Sequence, residues 1–179
     1  MFDAKLFADF ITAARGVLGI SLIWLAFTQG ANALSLVVLL MLLDWTGDFI
    51  DGTIAKHSRH PRRTRVGDSD LYIDTFVSIG LGIYLVASGF VSNLVALFYI
   101  LGGRLILGSF GLDRNLLMLS QAPIYLWFIL VTLQLMPERG YWIVAWVLIA
   151  TTINWRRFSK DIVPKFISGV TSMWRNRHS

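Results

Sequence analysis

The stretch Leu34-Ser35-Leu36-Val37-Val38-Leu39-Leu40-Met41-Leu42-Leu43-Asp44-Trp45-Thr46-Gly47-Asp48-Phe49-Ile50-Asp51-Gly52 decides the fold. An uncharged run from Leu34 to Leu43 leads straight into Asp44, Asp48 and Asp51. The run is apolar on nearly every helical face, as expected of a helix enclosed all round by a large core or a bilayer. The rest of the chain chooses between the two. Of its 179 residues, 55% are hydrophobic and 15% charged, against about a quarter charged in an ordinary soluble domain. A soluble domain of this size must turn many residues to water and cannot hide so much apolar surface. Composition excludes a disordered chain and, with no cysteine, a disulfide-stapled domain. It also argues against a soluble enzyme and leaves an integral membrane protein.

Working outward, six apolar stretches approach the length needed to cross a bilayer: Thr12–Thr28, Ala33–Thr53, Asp70–Phe90, Val91–Gly111, Asn115–Met136 and Tyr141–Trp155. Each is near the ~20 residues a helical span requires. The connections between them are short, so residues 1–179 form one all-α polytopic domain. The head places Phe2, Leu6 and Phe10 on one stripe, which predicts an interfacial amphipathic helix over residues 1–11. Phe158, Ile162, Phe166 and Val170 recur similarly in the tail, residues 158–179, although Pro164 interrupts them. Lys5, Arg15, Lys56, Arg59, Arg62, Arg63, Arg65, Arg114 and the basic tail all fall on one side of a six-span drawing. By the positive-inside rule that side, with both termini, is cytoplasmic. The net charge of +5 is small and spread along these segments, so nucleic acid is not an expected partner and membrane lipid is. Ala31-Asn32-Ala33 resembles a signal-peptidase site after an apolar run, but the head before it is longer and more amphipathic than a signal peptide's.

Asp44, Asp48 and Asp51 are spaced i, i+4, i+7, within an arc of about 60° on one helix face. The third span opens with Asp70-Leu71-Tyr72-Ile73-Asp74, a second i, i+4 pair. The short connection makes the two helices antiparallel, so both carboxylate sets lie toward the same end. A lone carboxylate at bilayer depth costs roughly 2.5–3.5 kcal/mol, and like charges nearby add to that. Helix-end carboxylates that reach water explain Asp70 and Asp51, but not Asp44 and Asp48 one and two turns deeper. Arginines of the 59–65 loop reach Asp44 poorly. Divalent cations with oxygen ligands are the economical counter-charge. Small residues Gly52 and Ala55 let a bulky ligand approach the backbone. The segment from Lys56 to Arg65 is dense in groups that bind phosphate. Metal-binding carboxylates beside phosphate binders at a membrane surface point to phosphoryl transfer. Arg104, inside the fourth span, is a functional candidate on the expectation that it is buried, with a counter-ion role toward Asp44 as the alternative.

These residues resemble the signature of the CDP-alcohol phosphatidyltransferase family, D-x2-D-G-x2-A-R followed by G-x3-D-x3-D. Here it reads Asp48-x2-Asp51-Gly52-x2-Ala55-Lys56, ten intervening residues, then Gly67-x2-Asp70-x3-Asp74. The Thr12-x2-Arg15 start of the first span and the six-span layout are similar as well. Lys56 replaces the family's arginine, and Gly67 stands one residue too close to Asp70. The resemblance implies a membrane transferase that moves a phosphatidyl or related phosphoalcohol group from a CDP-alcohol such as CDP-diacylglycerol to an alcohol acceptor and releases CMP. It implies two Mg²⁺ or Mn²⁺ ions held by Asp48, Asp51, Asp70 and Asp74, with Asp74 as general base. Asp48, Gly52, Ala55 and Lys56 would meet the CDP moiety, and Arg104 an acceptor phosphate. It implies a homodimer and a site on the cytoplasmic side of a cell membrane, here of a bacterium or an archaeon by size. Asp44 precedes the motif and is expected to be hydrogen-bonded or protonated behind the metal ligands rather than to be one.

Three rivals remain open on sequence alone. Intramembrane prenyltransferases also pair Asp-rich motifs with Mg²⁺, but need more spans than this chain holds. A small cation transporter would place acidic groups nearer the bilayer midplane, away from a basic loop. A non-catalytic member of the same family would keep the fold without the reaction.

Overall fold

The computed structural model describes residues 4–57, 65–110, 114–153 and 155, with the side chains of 12–50, 72–105, 108, 116–153 and 155. Among the described residues every regular element is helical: α1 (Ala4–Thr28), a 3-10 turn (Gly30–Ala33), α2 (Leu34–His57), α3 (Arg65–Ala87), α4 (Asn93–Phe110), α5 (Arg114–Leu135) and α6 (Pro137–Ile153). Six α-helices therefore stand where the six apolar stretches predict them. The segments Gly30–Ile50 and Leu116–Leu135 are long and apolar enough to cross a membrane, while Thr12–Thr28, Tyr72–Ala87 and Asn93–Leu105 are apolar but shorter.

Two expectations need correction or fall away. From Ala4 onward the expected interfacial helix is not a separate element, because α1 runs unbroken from Ala4 to Thr28. No glycine or proline separates Asp9 from Arg15, so nothing in the sequence ends the helix there. The predicted amphipathic tail, 158–179, lies outside the described residues.

The breaks between helices have local causes. Gly30 takes φ 54° and Gly89 takes φ 77°, both in the left-handed region that glycine enters without strain. Each ends an apolar run that would otherwise continue. The Tyr84 hydroxyl donates to the Gly30 carbonyl at 3.0 Å and ties the far end of α3 to the turn after α1.

The core lies among α1, α2, α3 and α5, where Leu22, Val37, Met41, Leu81, Tyr84 and Phe128 are fully buried. Glycine contacts set the closest approach. A Cβ on Gly80 would stand 2.8 Å from the Gly19 carbonyl oxygen, so α1 and α3 touch backbone to backbone. Gly19 faces Phe76 and Val77, and Gly80 faces Gly19 and Leu22, so the two helices run in the same direction. Gln121 meets Thr75 and Ile124 meets Gly82, which sets α5 parallel to α3. Arg139 on α6 donates to Ser35 on α2, and Trp146 donates to Thr46 farther along, so α2 and α6 share a direction. Gly80→Leu is expected to cost about 1–3 kcal/mol, because the clash is with backbone that cannot rotate away. The unfolding midpoint in detergent checks this, and an unchanged midpoint would mean the crossing is not close-packed.

α4 is the outlier. Leu94, Leu97, Phe98, Ile100, Leu101 and Leu105 are all exposed along it. It is held to α5 where the Tyr99 hydroxyl donates to the Ser120 carbonyl.

A carboxylate cluster closed by a buried arginine

The Gly19–Gly80 crossing positions the candidate site. One turn before Gly19, Arg15 projects from α1 and is 4% exposed. Its three guanidinium nitrogens each meet a different carboxylate. Nε donates to Asp44 Oδ1 at 2.9 Å, one terminal nitrogen donates to Asp48 Oδ1 at 3.2 Å, and the other donates to Asp74 Oδ1. Asp44 and Asp48 come from successive turns of α2, and Asp74 comes from α3. The spacing that predicts one carboxylate face on α2 therefore delivers both residues to one partner.

Exposure is graded across the cluster. The Asp44 side chain is 2% exposed, that of Asp74 28% and that of Asp48 52%. Arg15 and Asp44 form the closed floor, and Asp48 the open rim. Below the rim an aromatic group fixes α2 against α5 and α6. Trp45 packs edge-on against Tyr125 at a centroid distance of 5.8 Å and lies 5.7 Å from Trp146. The Trp146 indole donates to Thr46 Oγ1 at 3.0 Å. Beside Asp74, Thr75 Oγ1 accepts from the Gln121 amide at 3.1 Å. These bonds satisfy polar groups at a depth where an unpaired one is costly.

The expectation that Asp44 is hydrogen-bonded behind the motif agrees with its bond to Arg15. The alternative that Arg104 is its counter-ion does not agree. Arg104 is exposed on α4 and has no ion pair among the described residues, whereas Arg15, read from sequence as a topology marker, is the buried arginine. The reason is packing: α4 lies to the side of the core, and α1 crosses α3 tightly enough to enclose the residue one turn below. No local signal in Thr12-Ala13-Ala14-Arg15-Gly16 announces that crossing. The glycines at 16 and 19 only permit it.

Of Asp51, Gly52, Ala55, Lys56 and Asp70, the structure describes the helical backbone alone, and their side chains lie outside the described residues. Asp51 continues α2 one turn past Asp48, and Asp70 precedes Asp74 by one turn on α3. Among the described residues no group of three or more histidine, cysteine, aspartate or glutamate side chains stands ready to hold a metal ion. The donor chemistry nonetheless fits a hard divalent cation. Asp48 and Asp74 offer oxygen only, face each other from two helices, and are close enough to share the two ends of one guanidinium. Among Asp44, Asp48, Asp74 and Arg15 the formal balance with all ionised is three negative charges against one positive.

A cavity of about 660 Å³ opens elsewhere, between α3, α4 and α5, lined by Ile79, Gly82, Ile83, Val86, Tyr99 and Pro123 among others. Its apolar walls suit hydrocarbon and offer no group for phosphoryl chemistry. The charged side chains described above gather instead at the carboxylate end of α2 and α3.

Comparison with known proteins finds no matching family model, no matching curated protein and no matching solved structure.

Proposed function

We propose that this chain is a six-span membrane protein that transfers a phosphatidyl or related phosphoalcohol group from a CDP-alcohol, such as CDP-diacylglycerol, to an alcohol acceptor. The observation that carries the reading is the meeting of Asp48 and Asp74, from two different helices and both halves of the Asp-rich signature, at one partly open cluster. The membrane placement is supported by the two segments of spanning length and by the apolar outer faces, where Phe27, Phe98, Leu105 and Trp142 are exposed. With the carboxylate end cytoplasmic, Asp48 opens toward the side on which CDP-linked substrates would arrive.

In this proposal Asp48, Asp51, Asp70 and Asp74 would hold two divalent cations, Mg²⁺ or Mn²⁺, which would supply charge neutralisation at the pyrophosphate. Asp74 takes the proton from the acceptor hydroxyl as its oxygen attacks the β-phosphorus of the CDP-alcohol. The bond from that phosphorus to the bridging oxygen breaks, and CMP leaves with the electron pair. Gly52 and Ala55 leave room for the nucleotide beside α2, and Lys56 meets its phosphates as a point charge. Without metal, Arg15 holds Asp74 in place from below. Arg104, exposed on α4, would meet a phosphate of the acceptor where the alcohol carries one.

Purified protein with Mn²⁺ or Mg²⁺, supplied with a panel of alcohol acceptors, is expected to exchange labelled CMP into CDP-diacylglycerol by forward and reverse transfer, since a single displacement leaves no enzyme-bound group to exchange without an acceptor. Absence of metal-dependent exchange overturns the proposal. An acceptor screen read by lipid mass then names the alcohol. One observation favours a second reading: Arg15 already supplies a counter-charge, as it would in a non-catalytic relative whose carboxylates only hold helices together. Exchange activity excludes that reading.

A further inference from the structure

We propose that Arg15 is a built-in counter-cation that competes with divalent metal for Asp48 and Asp74, and so sets the metal affinity of the cluster. The inference rests on reading the cluster as a cation site, but not on the transfer reaction.

The geometry divides the guanidinium into two parts. Its Nε bond to Asp44 lies on the closed side, where the carboxylate is 2% exposed and donor and acceptor are both enclosed. Its terminal nitrogens reach Asp48 and Asp74, the more exposed carboxylates. A cation arriving from the open side meets Asp48 first, then Asp74, and never needs Asp44. Asp44 therefore anchors Arg15 while the other two carboxylates exchange partners between guanidinium and metal. Asp44 is thereby a positioning residue, acting through Arg15.

Two consequences follow from charge alone. Without metal, the cluster already has a cation at its centre, so like-charge repulsion between α2 and α3 is relieved and the helices stay together. That distinguishes it from sites whose carboxylates separate when the metal is removed. With metal, a fixed positive charge remains a few ångströms away and weakens binding by Coulomb repulsion. Replacing Arg15 by a neutral side chain should reverse both effects. The metal-free protein loses its internal cation, and the metal gains a more negative site.

The test uses the full chain in detergent with Mn²⁺ alone as probe. Free Mn²⁺, followed by its electron paramagnetic resonance signal, gives affinity, and the unfolding midpoint gives stability. Arg15→Gln is expected to bind Mn²⁺ about tenfold or more tightly than wild type, a coupling of ordinary size between adjacent sites. It should melt lower than wild type in chelator and recover most of the loss in millimolar Mn²⁺. Arg15→Lys keeps the charge but not the three-way fork, so it should lose stability yet bind Mn²⁺ within about threefold of wild type. Equal or weaker binding by Arg15→Gln overturns the proposal. So does an Arg15→Gln chain that stays unfolded in saturating Mn²⁺, because metal would then have failed to replace the guanidinium. Should wild type fail to exchange CMP while the Mn²⁺ coupling holds, only the transfer reading is lost.

Discussion

Asp74→Asn is expected to lower CMP exchange into CDP-diacylglycerol by roughly 10²–10⁴-fold, the usual contribution of a positioned general base. The substitution is nearly isosteric. The amide oxygen can still accept from Arg15, so the contact that orients the side chain survives in weakened form. What disappears is the negative charge, and with it both the proton acceptor and a hard metal ligand. The two losses separate experimentally. If the base alone matters, saturating Mn²⁺ leaves the defect in place. If metal binding dominates, raising Mn²⁺ restores much of the rate. A variant with unchanged exchange at every Mn²⁺ concentration would remove Asp74 from the reaction altogether. Asp74→Glu keeps the charge but lengthens the side chain by a methylene, and a partial activity there would point to strict placement.

The largest effect on stability is expected at Asp44. Asp44→Leu should cost about 3–5 kcal/mol, the range for removing one partner of a buried ion pair. The penalty comes less from the lost bond than from what is left behind. Arg15 is 4% exposed, and the Nε group that met Asp44 has no route to bulk water. Asp44→Asn should cost less, because an amide oxygen still accepts from Nε. Unfolding in denaturant, in a fixed detergent, gives both values. Combining Asp44→Leu with Arg15→Met should regain part of the loss, since a buried pair can often be replaced by apolar groups of similar volume. Full recovery is not expected, because Arg15 also meets Asp48 and Asp74. A cost at Asp44→Leu below about 1 kcal/mol would mean that Arg15 finds another partner at once, and the enclosed floor described above would be wrong.

The helices were legible because apolar runs and their interruptions are local. Gln29-Gly30-Ala31-Asn32 and Ser88-Gly89 break the pattern in the sequence, and both glycines take positive φ in the fold. The shared face of Asp44 and Asp48 was equally local, since helical spacing alone puts them on one side. The first turns of α1 were misjudged because an amphipathic stripe says which face is apolar but not where a helix bends. The two arginines show where such reasoning stops. Arg104 sits deep in an apolar run and Arg15 near the edge of one, so spacing favoured Arg104 as the buried residue. Burial depended instead on which helix crosses which, and the deciding contact joins Gly19 to Gly80, sixty-odd positions apart in the chain. Composition could not rank one glycine pair above another. The counter-ion to Asp44, a role the sequence offered to Arg104 as one of two alternatives, is taken by Arg15.

The loose seating of α4 has a mechanical consequence. A bilayer that thins or thickens pulls on every helix whose apolar length no longer matches, and helices respond by tilting. In the membrane placement proposed above, α4 turns its exposed apolar side chains to lipid, and a hydroxyl-to-carbonyl bond ties it to α5. α1 and α3 are locked backbone to backbone beside the charged groups. Strain from the surrounding lipid would therefore be taken up by the outrigger helix before it reached the crossed pair. The carboxylates would keep their spacing in membranes of different thickness, as an instrument does on a sprung mount.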